Sequence, residues 1–113
     1  MEILTERELD LTDLILQQLE EDYETNTDKL AAFEQLEHLN ETEKKERYWQ
    51  LFRLISRQLD SGYIHNKNRI SIKLNPSMIE TVRELRKNGG IRNIQETERT
   101  RISKLKGYLF GNH

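Results

Sequence analysis

The stretch Leu54-Ile55-Ser56-Arg57-Gln58-Leu59-Asp60-Ser61-Gly62-Tyr63-Ile64 decides how this chain is read, because the hydrophobic period changes inside it. Upstream, Tyr48, Leu51, Phe52, Ile55 and Leu59 recur at spacings of three and four, the stripe of an amphipathic helix. Asn40 and Glu43 form a capping box in front of that stripe, so a helix is expected over 41–60. Gly62 stands just past its end, where a left-handed cap is favoured. Downstream the period becomes two. Tyr63-Ile64-His65 reads as a short strand, Asn66-Lys67-Asn68 as a turn, and Arg69-Ile70-Ser71-Ile72-Lys73-Leu74 as an alternating strand.

The segments on either side read as helices. Thr5 and Glu8 form a second capping box, followed by Leu11, Leu14, Ile15, Leu19 and Tyr23 at helical spacing, which predicts a helix over 6–23. Glu24-Thr25-Asn26-Thr27 reads as a loop. Asn26 or Thr27 can cap a helix over 28–38 that turns Leu30, Phe33, Leu36 and Leu39 inward. After the hairpin, Asn75-Pro76 opens a helix over 76–88 with Met78, Ile79, Val82 and Leu85 inside, and Asn88-Gly89-Gly90 ends it. Residues 93–109 fit a fifth amphipathic helix. The expected class is therefore mostly α with one β-hairpin, four to five helices in all. Residues 1–90 are expected as one domain and 91–113 as a C-terminal helix or tail.

The order helix, helix, long helix, hairpin, helix, with an apolar helix end, a glycine, an aromatic and an isoleucine leading into the hairpin, resembles the winged-helix superfamily. The resemblance covers about residues 9–88. The layout is similar to small winged-helix proteins common in phages and Gram-positive bacteria. It implies that helix 41–60 enters a DNA major groove and that the 63–74 hairpin is a wing.

Charge supports two functional readings. Residues 1–40 carry twelve acids and two bases, whereas residues 41–113 carry eight acids and sixteen bases. Asymmetry of this size bears on partners more than the net charge of −2 does. On the first reading the chain is a small DNA-binding regulator and a homodimer. Lys44, Lys45, Arg47, Gln50, Arg53 and Arg57 of the long helix, with Lys67, Arg69 and Lys73 of the hairpin, form the nucleic-acid surface. Arginine and glutamine make bidentate base contacts, and arginine and lysine hold phosphates. Arg92, Arg99, Arg101, Lys104 and Lys106 add basic charge in the tail. On the second reading the chain is a protein-binding module, such as a phage- or plasmid-encoded inhibitor, that presents acidic residues 6–28 to a basic groove. A third, bland expectation is that the two halves attract each other on folding and cancel.

Catalysis, metals and cofactors have little support. The chain has no cysteine, so neither a thiolate site nor a cysteine nucleophile is available. His38, His65 and His113 lack metal-ligand spacing, and Asp22, Glu24 and Asp28 lack the glycine-centred pattern of a calcium loop. Gly89-Gly90 has no Gly-Lys-Ser/Thr after it to cradle phosphate. Glu20-Glu21 are neighbours on a polar face and do not converge across a cleft. Neither a signal peptide nor a membrane span is legible, and the expected compartment is the cytoplasm.

Overall fold

The computed structural model describes residues 3–31, 38–59, 64–68 and 71–110, with backbone alone at 31, 64–68 and 102–110. Five α-helices and a three-stranded antiparallel sheet make up the described part. In chain order they are α1 (Glu6–Asp22), β1 (Glu24–Asn26), α2 (Thr27–Ala31), α3 (Glu41–Gln58), β2 (Ile64–Asn68), β3 (Ser71–Leu74), α4 (Ile79–Lys87) and α5 (Gly90–Phe110). A 3-10 turn, Pro76–Met78, leads into α4.

The helix starts follow from local chemistry. Thr5 Oγ1 accepts from the Glu8 N–H while the Glu8 carboxylate accepts from the Thr5 N–H, and Asn40 and Glu43 repeat the exchange in front of α3. Each box satisfies donors that the first helical turn leaves without partners. α1 ends at Tyr23, whose left-handed backbone (φ 60) returns its N–H to the Leu19 carbonyl. α3 ends at Gln58 with Leu59 as its cap, so the expected helix over 41–60 closes slightly early. The expected cap at Gly62 lies outside the described residues.

Between α1 and α2 the expected loop is a strand. Thr25 pairs with Ile72 and Asn26 with Ser71, so β1 takes one edge of the sheet and β3 its centre, in the order β1-β3-β2. Three residues are too few to show alternation, and this strand exists because β3 offers it a ladder. The hairpin also differs from expectation. Residues 66–68 continue β2 instead of turning, and Asn68 pairs with Ser71 after an irregularity that follows His65. Residues 69–70, the start of the expected second strand, lie outside the described part. Asn tolerates a turn but does not demand one, and pairing of Asn68 with Ser71 keeps β2 in the sheet beyond the irregularity.

The second helix is described over Thr27–Ala31; residues 32–37 of the expected 28–38 span lie outside the described part, and His38 at its end stands in a turn. Asn26 is its cap, accepting from the Lys29 N–H at 2.9 Å. The expected helix over 76–88 divides into the 3-10 turn and α4. The fifth helix begins at Gly90, three residues before the expected start.

The core centres on α1 and α3. Leu9, Leu11, Ile15, Leu16 and Leu19 of α1 meet Tyr48, Leu51, Phe52 and Ile55 of α3, with Leu30, Ile72, Leu74, Val82 and Ile91 closing the other sides. Leu14 and Tyr23, read as part of the apolar stripe of the first helix, are only partly buried and pack against this cluster. Trp49 is likewise half-buried against this core. The sheet joins the core through Thr25, Ile72 and Leu74, so the hairpin is anchored beside the helices.

Candidate nucleic-acid surface

α3 buries Tyr48, Leu51, Phe52, Ile55 and Ser56. Helical geometry then places Gln50, Arg53 and Arg57, with Glu46, on the opposite side. All four are exposed. Among the described residues neither Arg53 nor Arg57 takes part in an ion pair. Lys45 is exposed near the start of the helix, and Lys44 is half-buried and pairs at 3.6 Å with Glu41.

Arg47 occupies a different environment. Its guanidinium donates to the Glu8 carboxylate across the α1–α3 contact and to Gln50 Oε1 at 2.6 Å. The two charged side chains are 17% and 11% exposed, so this is a nearly buried pair. Burial pushes the Glu8 carboxyl up, but hydrogen bonds from Arg47 and from the Thr5 backbone, with the charge of Arg47, outweigh it and hold the group below its ordinary value. The same carboxylate thus caps α1 and ties it to α3.

In the hairpin, Lys73 is exposed on β3, across from Glu24 on one side and His65 on the other. Lys67 lies in β2, where the backbone alone is described, and Arg69 lies outside the described residues.

The acidic face of α1 is met by bases from the other half of the chain. Arg86 of α4 donates to both oxygens of Glu20 at 3.0 Å. Arg92 of α5 reaches three acids, donating to Glu6 and to Asp10 (2.8 Å) and standing 3.6 Å from Asp13. Asp13 is raised by its burial and by Asp10, against the lowering influence of Arg92 and Arg86. The bland expectation therefore holds for part of the charge: Arg47, Arg86 and Arg92 neutralise α1, whereas Arg53 and Arg57 do not take part. Sequence reading did not anticipate Gln95, which is buried, accepts from the Leu4 N–H at 2.6 Å and donates to the Leu4 carbonyl at 3.4 Å. A lone glutamine on a helix carries no mark of such a partner ninety residues away.

Among the described residues no group of three or more His, Asp or Glu side chains converges as a metal site, and no helix is long and apolar enough to cross a membrane. Comparison of the chain with protein-family models, with curated proteins and with solved structures gave no match.

Proposed function

We propose that this chain is a small DNA-binding regulatory protein with a winged-helix-like layout, in which α3 enters the major groove and the β2–β3 hairpin flanks it as a wing. The observation that carries the reading is the pair Arg53 and Arg57: both are exposed on the outer face of α3 and neither is held by an acid among the described residues. Three other helical arginines, Arg47, Arg86 and Arg92, are spent on α1. Folding thus cancels part of the repulsion that twelve N-terminal acids would exert on a phosphate backbone. The layout adds support. β1 pins the hairpin to the helical core through β3, so the wing keeps a defined place. Lys73 is exposed on its central strand.

In this arrangement Gln50, Arg53 and Arg57 reach base edges or phosphates, Lys44 and Lys45 stand by the helix start, and Lys73, with Lys67 and Arg69, contacts the backbone beside the groove. Arg47 sets the angle of α3 on α1 and holds Gln50.

The test is binding of fluorescent random-sequence duplex DNA across a salt series. The wild type should bind at about micromolar affinity or tighter at low salt and weaken steeply as salt rises. Arg53→Gln with Arg57→Gln should reduce the slope of log K against log salt by about two, one for each lost phosphate contact. Charge reversal at both positions should abolish binding, while Arg83→Glu on α4 should change it little. Absence of binding at low salt would sink the proposal and turn attention to acidic residues 6–28 as a protein-binding surface.

A further inference from the structure

α3 also lines a groove together with Glu98 of α5 and Leu4. Its volume is about 460 Å³, within the range of small-molecule sites. Its α3 wall runs from Arg47 to Gln58, a length of about 16 Å at the rise of an α-helix. The chemistry is two-sided. Leu54 is half-buried and exposes apolar surface, with the edges of Leu51 and Leu4 beside it. Arg53 and Arg57 line the same groove and are exposed. The arginine at its upper end, Arg47, is fixed by Glu8 and Gln50 and so forms a rigid wall.

We propose that this groove binds a monocarboxylate with an apolar body, an aliphatic or aryl-aliphatic acid. The carboxylate is taken by the guanidinium groups of Arg53 and Arg57, and the body lies over Leu54. Guanidinium presents a planar fork of donors that matches a carboxylate, and a leucine floor gains from an apolar chain in place of water. Binding of the acid does not depend on the proposed DNA function, but its consequence does: Arg53 and Arg57 cannot serve a carboxylate and a phosphate backbone together, so such an acid would release DNA.

The probe is decanoate below its micellar concentration, titrated calorimetrically into the full chain without DNA. Saturable one-to-one binding is expected, weakened about tenfold or more in Arg53→Gln/Arg57→Gln, which loses both charge-assisted bonds. Leu54→Trp, which fills the groove, should also lose the acid. Decanol should bind far more weakly than decanoate. Absence of saturable binding by the wild type, or equal binding by the arginine double variant, overturns the proposal. The arginine variant changes exposed side chains alone, so the test stands even where Leu54→Trp fails to fold. Failure to bind duplex DNA would overturn the functional reading above and leave this calorimetric result unaffected.

Discussion

Glu8 and Arg47 show how one contact changes the meaning of a residue. On the sequence, Arg47 is one of several bases along a helix face, and Glu8 is the closing N3 residue of a capping box. In the fold they form a pair across the core boundary. Removing one member strands the other in a nearly dry place. Glu8→Gln should therefore lower stability at pH 7 by about 1–3 kcal/mol, as measured by chemical denaturation. The pH dependence has a definite sign. A carboxyl held down in the folded state contributes stability above its unfolded value and loses it as pH falls through the folded one. The gap between wild type and Glu8→Gln should thus be full at neutral pH and close as pH drops below the ordinary glutamate value of 4.5. Equal stability of the two at neutral pH would mean that the charge of Glu8 contributes nothing to the pair.

Gly90 gives a second local prediction. Its backbone has φ +68, and a Cβ there would stand 2.9 Å from Asp13 Oδ1. Gly90→Ala should cost about 1–2 kcal/mol from the left-handed backbone alone. Combining it with Asp13→Gly relieves the close approach but not the backbone, so most of the loss should persist in thermal melts. Full rescue by the second substitution would assign the cost to the contact instead.

The helices were legible because their signals are local. Capping boxes and the 3.6-residue period operate within a few residues, and α1 and α3 start where Thr5 and Asn40 announce them. Thr5→Ala and Asn40→Ala should each cost about 1 kcal/mol in denaturant titrations. The Thr5 loss should be the larger, because the Glu8 it positions also holds Arg47. Strand β1 was not legible. Glu24, Thr25 and Asn26 carry no alternation, and two of the three are poor strand formers. What makes the strand is β3 alongside it and the hydroxyl of Thr25, which donates to Gln18 Oε1. The same competition decided residues 66–68: local turn preference lost to a ladder with β3.

For the molecule as a whole, the charge map of the sequence is folded back on itself. α4 and α5 lie against α1 with Arg86 and Arg92 facing its acids across the break at Gly89 and Gly90. These pairs are partly solvated, the Arg92 side chain being 37% exposed. Each is worth at most about 1 kcal/mol, and salt screens it. Arg92→Ala should therefore destabilise modestly in low salt, and the difference from wild type should shrink at about 0.5 M salt. A difference that salt leaves unchanged would point to packing of the arginine stem over α1. The same neutralisation weakens the acidic helix as a decoy for basic partners, and it leaves Arg53 and Arg57 of α3 outside any ion pair among the described residues.

The sequence was enough for a mostly helical fold, its long α3 helix, its hairpin and the sign of charge in each half, because periodicity, capping and composition are properties of short stretches. It could not say which bases would be spent inside the fold. Arg47, Arg53 and Arg57 look alike along one helix, yet α1 packs against one side of α3 and brings Glu8 to the first of them alone. That choice depends on the angle at which two helices meet and on a three-residue strand that forms only beside its partner. Both arise from contacts between residues far apart in the chain, where no local pattern reaches.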